Sequence, residues 1–302
     1  MPAITARGLR KSYSGRSVVD GIDLDVEEGE IFALLGPNGA GKTTTVEMLT
    51  GVRHRDAGEI SVLGLDPDRD GRRLAHLVGV QLQDSQLPDK MRVAEAVELF
   101  SSFYRDPIDG NALLERLHLA DARKRPFAAL SGGQKQRLAI ALALVGRPRV
   151  AVLDELTTGL DPQARRETWG LISGLRESGV TIVLVTHFMA EAEYLADRLA
   201  LFEAGRIVAV DTPAGLIAER TAGRQEIRFR LDGDAGSALD GLRQLPEVAS
   251  VGMQGSTVVV TGSGDVVLAV TAHIARSGLT ARDLRVRQAT LDDAVLTSGS
   301  DS

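Results

Sequence analysis

The sequence predicts an α/β fold with a parallel sheet between layers of helices, followed by a smaller α+β domain. Almost wholly apolar runs at residues 150–153 and 180–185 alternate with helix-compatible stretches, and parallel strands that are buried on both faces have this composition. Beyond residue 222 the order becomes strand, helix, strand, strand, helix, strand. That order is the split pattern of a ferredoxin-like domain.

The bulk composition is that of an ordinary soluble protein. At 302 residues the chain is long enough for about two domains. A net charge of -6 argues against nonspecific nucleic-acid binding, which needs a basic face. The chain has no cysteine, so it has no disulfide or thiol chemistry. No stretch approaches the ~18 uninterrupted apolar residues of a membrane span. We therefore expect any action at a membrane to involve a partner.

The elements of the first domain follow from local patterns of apolar and turn residues. In chain order we expect strands at 4–9 and 18–26 around a turn at Ser14-Gly15, a strand at 31–35, a helix-compatible stretch at 45–49, strands at 59–63 and 77–82, mostly helices over 91–145, strands at 150–153 and 180–185, a hairpin around Ala204-Gly205, and a short helix and linker over 213–222. The alternation of strands and helices favours a parallel sheet.

The second domain is predicted in the same way. Its expected strands are 225–231, 248–254, 256–261 and 282–288, and its expected helices are 236–245 and 265–277. The small, polar residues 298–302 are expected to be frayed.

A glycine loop between strand 31–35 and the following helix predicts a phosphate site. The loop consists of Gly36, Pro37, Asn38, Gly39, Ala40, Gly41, Lys42, Thr43 and Thr44. Its G-x4-G-K-T pattern lets backbone N–H groups converge on an anion at the start of a helix. Lys42 is expected to reach the β- and γ-phosphates of a nucleotide, and the Thr43 hydroxyl to hold Mg²⁺. The alternative is a glycine-rich turn without a ligand.

Two carboxylates end the apolar strand at 150–153. Asp154 is placed to reach Mg²⁺ directly or through water, and Glu155 can polarise an attacking water. The alternative is that these acids only terminate a strand.

A second candidate anion cradle precedes a strongly helical run. Ser131, Gly132, Gly133 and Gln134 combine a hydroxyl with unobstructed N–H groups at a helix start. The alternative is a serine N-cap with a flexible entry to the helix.

Taken together, these motifs resemble the nucleotide-binding subunits of ATP-binding-cassette (ABC) transporters. GPNGAGKTT is similar to Walker A, LSGGQ to the signature and VAVLDE to Walker B, and the resemblance covers about residues 4–215. It implies a P-loop NTPase of the ABC ATPase fold, with a RecA-like core sheet, an antiparallel β subdomain and a helical subdomain at about 84–145. The resulting domains are 1–215, a linker at 216–222, and an α+β accessory domain at 223–298.

The resemblance also assigns roles to single residues. Asp161 looks like the D-loop aspartate, and His187 like the switch histidine that contacts the γ-phosphate. Gln83 fits the catalytic and Mg²⁺-binding Q-loop position, although Gln81 and Gln86 lie close enough to compete for it. Tyr13 looks like the aromatic that stacks on adenine, and its alternative is a half-buried tyrosine at a strand edge.

The chain departs from the family's pattern at one position. Leu156 follows Glu155, where the family commonly has a proline. Because proline fixes φ and removes an N–H, we expect Leu156 to loosen the turn toward Asp161 without removing activity.

By resemblance, the chain binds ATP and Mg²⁺ and hydrolyses ATP. Two subunits stack head to tail, so that Ser131 and Gly133 of one subunit cover the ATP held by Lys42 of the other. A separate membrane permease is implied at the cytoplasmic face of the cell membrane, with residues 84–93 gripping it. The second domain resembles the C-terminal region of drug-resistance and polysaccharide- or lipid-export ATPases, which favours export.

Two other functions remain open from the sequence. One is a soluble ABC ATPase that acts on ribosomes or DNA. Ribosome-acting members usually have two cassettes in one chain and DNA-acting members long coiled coils, and this acidic chain has neither. The other is a kinase for a small acceptor, in which LSGGQ would have no obvious use.

Overall fold

A computed structural model describes residues 2–81, 87–232 and 236–296 of the chain. The chain divides into two compact units, Met1–Thr212 and Pro213–Ser302. In the described part of the chain, no helix is long and apolar enough to cross a membrane.

The first unit is built on a mostly parallel central sheet. Its strands are β1 (Pro2–Tyr13), β2 (Arg16–Glu27), β3 (Ile31–Leu35), β4 (Ala57–Val62), β5 (Val78–Gln81), β6 (Val150–Asp154), β7 (Thr181–Thr186), β8 (Arg198–Glu203) and β9 (Arg206–Asp211). The central sheet has the order β5-β6-β7-β3-β8-β9, and only β9 runs antiparallel to its neighbour. Every residue of β3, β6 and β7 is buried, which explains their continuous apolar sequences.

The three buried strands end at the same edge of the sheet. Leu35 of β3 is in register with Thr186 of β7, and Asp154 of β6 is in register with Val185 of β7. The segments that follow these strands therefore start side by side, although the loop after β3 precedes the other two by more than a hundred residues in sequence. Strand register thus brings the glycine loop, the two acids and His187 to one place.

A small antiparallel sheet with the order β2-β1-β4 accompanies the central sheet. β1 and β2 extend beyond the predicted strands at 4–9 and 18–26, because Tyr13 pairs with Arg16 directly across the turn. That turn places Ser14 and Gly15 at positive φ, 47° and 81°.

The helices of the first unit connect the strands and form a helical region. They are α1 (Lys42–Leu49), α2 (Pro67–Leu74), α3 (Val93–Ser101), α4 (Gly110–Arg116), α5 (Gly132–Leu144), α6 (Pro162–Glu177) and α7 (Met189–Leu195). α3, α4 and α5 lie in the segment predicted as mostly helical, and they bury apolar side chains such as Val97, Leu113 and Leu138. α6 carries the chain from β6 to β7, the crossover that a parallel pair requires.

The second unit has the split topology that the sequence predicts. Its elements are α8 (Pro213–Thr221), β10 (Gln225–Asp232), α9 (Gly236–Arg243), β11 (Val248–Gln254), β12 (Thr257–Gly262), α10 (Val266–Arg276), β13 (Thr280–Gln288) and α11 (Leu291–Leu296). The antiparallel sheet has the order β11-β12-β10-β13. The two strands of each βαβ half, β10 with β11 and β12 with β13, therefore lie on either side of one strand of the other half. Val270 and Ile274 of α10 share a core with Ile227 and Phe229 of β10.

The predicted linker is wrong. Residues 216–222 are helical as far as Thr221, because they belong to α8. Leu216 is buried, and α8 packs against α11, whose Leu291 and Ala294 are buried. Pro213 occupies the first position of α8, where its missing N–H costs no helical hydrogen bond. The division between the two units lies at Thr212 and Pro213, ahead of the predicted boundary at residue 215.

Candidate functional site

The glycine loop is shaped by close backbone contacts. A Cβ on Gly36 would lie 2.4 Å from the backbone oxygen of Phe202, and a Cβ on Gly41 would lie 2.5 Å from that of Val18. Gly41 also has φ of 100° and forms the N-cap of α1 without a side-chain hydrogen bond. The first N–H groups of α1 are therefore not capped by a side chain, which is the arrangement that an anion needs.

The rest of the loop is anchored at one point and open elsewhere. The carbonyl of Ala40, which is buried, accepts a hydrogen bond from the N–H of Gly205 in the β8–β9 turn at 3.1 Å. Pro37, Asn38 and Gly39 are exposed. In α1, Thr43 is exposed, whereas Thr44 is partly buried. The open side of the loop is thus free for a ligand.

Lys42 is folded back onto the loop. Its Nζ donates hydrogen bonds to the carbonyl oxygens of Gly36 at 2.8 Å and Pro37 at 2.9 Å, and the residue is only 5% exposed. Burial lowers the pKa of Lys42, and the charges of Glu155 and Asp154 oppose this change. The ammonium group therefore lies among loop carbonyls and near two acids, where a phosphate would compete for it.

Asp154 is a fully buried acid beside α1. Its Oδ2 accepts a hydrogen bond from the Thr43 hydroxyl at 3.3 Å, whereas its Oδ1 has no hydrogen-bond partner among the described residues. Burial raises the pKa of Asp154 to about 6, and the neighbouring Glu155 contributes to the increase against the effect of the Thr43 hydrogen bond. The N–H of Asp154 donates to Oε1 of Gln81 at 3.1 Å, so Gln81 helps to fix this strand end.

The surroundings of Asp154 fit a magnesium ion. The orphaned Oδ1 and the Thr43 hydroxyl are hard oxygen donors of the kind that Mg²⁺ prefers. Within residues 2–81, 87–232 and 236–296, no cluster of three or more His, Cys, Asp or Glu side chains could hold a metal. An ion here would therefore take its other ligands from phosphates and water, as Mg²⁺ does in nucleotide sites.

Glu155 and His187 form a pair next to this site. Oε1 of Glu155 lies 3.0 Å from Nδ1 of His187. The side chain of Glu155 is only 8% exposed, whereas that of His187 is 30% exposed. Glu155 has a left-handed backbone with φ of 48°, and its N–H donates to the carbonyl of Val185 at 2.9 Å. This backbone turns the second acid away from the strand and toward His187.

Ser131 begins α5 with a reciprocal cap. Its Oγ accepts from the N–H of Gln134 at 3.3 Å, and the Gln134 side chain accepts from the N–H of Ser131 at 3.1 Å. The described side-chain hydrogen bonds of these two residues stay within the motif. The serine N-cap considered from the sequence is therefore real. It does not exclude an anion, because a capping box satisfies only part of the donors at a helix start.

The start of α5 lies against the start of α6. A Cβ on Gly133 would come within 3.3 Å of Cβ of Ala164, and a Cβ on Gly132 within 3.6 Å of Leu160. Asp161 caps α6 by accepting from the N–H groups of Gln163 at 2.9 Å and Ala164 at 3.0 Å. These hydrogen bonds lower the pKa of Asp161. The Ser131 motif and Asp161 thus occupy neighbouring helix starts.

Tyr13 ends β1 and is 38% exposed. The guanidinium of Arg53 lies 5.3 Å from the centre of its ring, and the ammonium of Lys11 lies 5.8 Å from it. The structural alternative was a half-buried tyrosine at a strand edge, whereas Tyr13 is exposed at the end of β1, the central strand of its sheet. Its exposure leaves room for a stacking ligand, so the adenine role stays a prediction.

Gln83, the predicted Q-loop residue, lies outside the described residues, as do Gln86 and the start of the segment 84–93. Gln81, the other glutamine considered, is 4% exposed and contacts the backbone of Asp154. Its role here is to support the strand end.

One residue near the site was missed from the sequence. Glu191 on α7 is fully buried and accepts hydrogen bonds from Thr157, two residues beyond Glu155, and from Trp169. The signal is faint, since an acid in a helix usually faces solvent. Leu156, expected to loosen its turn, is itself fully buried.

Comparisons with known proteins show the family of the chain. The family model described as "ABC transporter" matches residues 19–158. The daunorubicin resistance ATP-binding protein DrrA3 of Streptomyces coeruleorubidus is 34% identical over 97% of this chain and 95% of its own length. The Nod factor export ATP-binding protein I of Ralstonia nicotianae is 42% identical over 72% of this chain and 69% of its own length.

Solved structures of ABC cassettes are similar to most of the chain. The structure of cbiO1 from Clostridium perfringens, part of an ABC transporter complex, is 30% identical, with a TM-score of 0.66 over 73% of this chain and 92% of its own. A bacterial ABC transporter cassette solved as a dimer is 28% identical, with a TM-score of 0.61 over 69% of this chain and 98% of its own. The chain therefore belongs to the ABC transporter family, whose ATP-binding domains hydrolyse ATP to drive transport.

Proposed function

We propose that the chain is the ATP-hydrolysing subunit of an exporter, and that it drives a drug, lipid or glycan through a separate membrane permease. The observation that carries this proposal is the match to the daunorubicin resistance protein, which spans both units rather than the first alone. The similarity to a Nod factor export protein supports the same direction of transport.

Nucleotide binding begins at the glycine loop. Lys42 exchanges the carbonyls of Gly36 and Pro37 for phosphate oxygens, and the open N–H groups at the start of α1 receive the same phosphates. Thr43 and Asp154 would hold Mg²⁺, which offsets charge on the phosphates. Tyr13 would stack on the adenine ring.

Hydrolysis uses the acid that stays beside His187. Glu155 orients the attacking water. His187 contacts the γ-phosphate, and its Nδ1, at 3.0 Å from Oε1 of Glu155, holds the Glu155 carboxylate in place. Gln83 would complete the γ-phosphate sensor. The protein supplies position and charge, which account for most of the catalysis of phosphoryl transfer.

The site is completed by a second subunit. In a head-to-tail dimer, Ser131 and Gly133 of one subunit cover the ATP held by Lys42 of the other, with Asp161 at the interface. The helix start of α5 supports this role, because the described side-chain hydrogen bonds of Ser131 and Gln134 involve no residue outside the motif. ATP would then close the dimer, and hydrolysis with loss of phosphate would open it. Residues 84–93 would transmit this movement to the permease at the cytoplasmic face of the membrane.

Purification from detergent-solubilised membranes tests the proposal. We expect the chain to co-purify with a multi-span membrane protein, and the reconstituted complex to show ATPase activity that candidate export substrates stimulate. A matched preparation with Glu155→Gln should retain the membrane partner and lose the activity. Recovery of ribosomes or DNA in place of a membrane protein would overturn the proposal in favour of a non-transport ABC ATPase.

A further inference from the structure

Glu191 is a buried acid without an assigned role. It is 0% exposed, and its Oε1 accepts hydrogen bonds from the Thr157 hydroxyl at 2.7 Å and the Trp169 indole N–H at 3.0 Å. Its Oε2 is buried without a hydrogen-bond partner among the described residues. Burying a carboxyl group with one orphaned oxygen costs free energy. An apolar side chain would fill the same space without this cost, so packing alone does not account for an acid here.

The partners of Glu191 lie on the segments that carry the proposed catalytic residues. Thr157 is two residues beyond Glu155, in the turn that leads to Asp161. Trp169 is on α6, the helix that Asp161 caps. Glu191 itself is four residues beyond His187, on the helix that follows it. One carboxyl group therefore joins the three segments that place Glu155, Asp161 and His187.

The contacts around Glu191 hold α6 and α7 together. The Trp169 ring stacks on Tyr194 of α7 with 4.9 Å between ring centres and 23° between their planes. The Arg165 guanidinium of α6 lies 4.8 Å from the centre of the Phe188 ring, at the start of α7. Thr157 is fully buried, so its hydroxyl has no access to solvent as an alternative to Glu191. The turn after Glu155 is thus tied to a pair of packed helices.

We propose that Glu191 is a positioning residue for ATP hydrolysis, which fixes the turn after Glu155 relative to His187 through its hydrogen bonds to Thr157 and Trp169. The inference rests on the proposed ATPase role of Glu155. The bond to Thr157 also restrains the turn in which Leu156 stands in place of the family's usual proline. The hydrogen bonds of Lys42 do not involve this network. Glu191 therefore acts on the hydrolytic step rather than on nucleotide binding.

Substitutions can separate positioning from folding. Glu191→Leu removes the acceptor and leaves the buried Thr157 hydroxyl and the partly buried Trp169 N–H without this partner. Glu191→Gln keeps an oxygen that can accept from both donors. Thr157→Val removes only the hydroxyl and keeps the shape of the side chain. Glu193→Gln is the matched control, because Glu193 is exposed on the same helix.

The test is steady-state ATPase kinetics on the full chain, together with ATP affinity measured by calorimetry. We expect Glu191→Leu to lower kcat about tenfold or more, a barrier change of about 1.4 kcal/mol or above, with ATP affinity within about threefold of wild type. Glu191→Gln should recover most of kcat, and Glu193→Gln should match wild type. Thr157→Val should lower kcat in the same direction, and its effect should not add to that of Glu191→Leu, because both remove one interaction.

Several outcomes would overturn the inference. They are an unchanged kcat in Glu191→Leu, a loss of ATP affinity as large as the loss of kcat, a kcat in Glu191→Gln as low as in Glu191→Leu, or additive effects of the Thr157 and Glu191 substitutions. Wild-type protein in the same assay distinguishes a failure of the proposed ATPase function from a failure of the proposed role of Glu191. Absence of turnover in the wild type contradicts the proposed function, whereas normal wild-type turnover with an unaffected Glu191→Leu contradicts only the role of Glu191.

Discussion

Lys42 is buried among backbone carbonyls of its own loop. The two loop carbonyls hold the ammonium group in a buried position, near the charges of Asp154 and Glu155. Phosphate oxygens carry more negative charge than carbonyls, so a nucleotide should displace this arrangement. Burial lowers the pKa of Lys42. Because little water screens a buried charge, the same burial strengthens the attraction between the ammonium group and a bound anion.

Lys42→Ala should therefore weaken ATP binding itself. Hydrogen bonds to charged groups contribute about 1.5–3 kcal/mol, so the loss of affinity should be roughly tenfold to a hundredfold. Calorimetric titration with ATP measures this directly. Lys124→Ala, at an exposed position in the helical region, is the control and should bind normally. An unchanged affinity in Lys42→Ala would count against the phosphate cradle.

Asp154 makes the folded chain less stable as pH rises. Its pKa of about 6 in the folded chain lies above the ordinary value of 3.8, so the folded state binds more protons between these values. Stability from this group is full at about pH 4 and is lost as pH rises toward 6. The difference between the two pKa values corresponds to roughly 3 kcal/mol at neutral pH.

Asp154→Asn should remove this dependence. Without nucleotide, its advantage in the free energy of unfolding over wild type should grow from about pH 4 to pH 6 and then level off, as measured by urea unfolding. Asp161→Asn is a control of opposite sign, because the pKa of Asp161 is lowered and its stabilisation is lost as pH falls. An Asp154→Asn advantage that does not change with pH would contradict the buried-acid description.

The residues found from sequence and the residue that was missed differ in a physical way. The glycine loop and the two acids lie in short, contiguous motifs whose chemistry fixes their spacing, so the sequence identifies them. Glu191 acts through Thr157 and Trp169, which are 34 and 22 residues away. No local pattern reports such a contact, because it depends on how α6 and α7 pack.

At the scale of elements, the start of α5 has two roles to separate. Ser131 caps the helix, and we propose that it also contacts ATP on another subunit. Ser131→Ala removes both roles and should cost about 1 kcal/mol of stability. Ser131→Asn keeps the cap and should fold with nearly wild-type stability.

Both Ser131 variants should nevertheless show reduced ATP-dependent dimerisation and turnover, since asparagine cannot place a hydroxyl against the phosphate. Thermal unfolding and sedimentation with ATP measure the two effects separately. Normal dimerisation and turnover in Ser131→Asn would mean that Ser131 is only a helix cap.

The same scale explains the error in the predicted linker. The sequence of α8 contains small, polar and charged residues after Pro213, so it was expected to pass from a short helix into a linker. The helix extends to Thr221 because Leu216 is buried and α8 packs against α11, which lies near the other end of the unit in sequence. A contact between distant segments stabilised a helix that local propensity leaves undecided.

At the scale of the molecule, the two units have separate cores. The described contacts of Lys42, Thr43, Asp154, Glu155 and His187 are all made within residues 2–212. The order of elements in each unit could be predicted because buried strands, amphipathic helices and turns alternate clearly. The strand order could not, because pairing such as that of β3 with β7 and β8 arises from tertiary packing.

A chain that ends after Thr212 should therefore still bind ATP. We expect its affinity to be within about threefold of the full chain, corresponding to less than about 1 kcal/mol. Calorimetry on both chains tests this, with circular dichroism to check that the shorter chain is folded. A folded 1–212 chain that fails to bind ATP would show that the second unit contributes to the nucleotide site.

We propose that each ATP site is shared between two chains, which close on ATP. Glu155→Gln tests it most directly, because it keeps the shape of the proposed catalytic acid while removing its charge. Light scattering with ATP and Mg²⁺ should give twice the 32.1 kDa mass of the chain, with little turnover, and the chain's own mass without ATP. A variant that stays at 32.1 kDa with saturating ATP, or that hydrolyses ATP at the wild-type rate, would contradict the account.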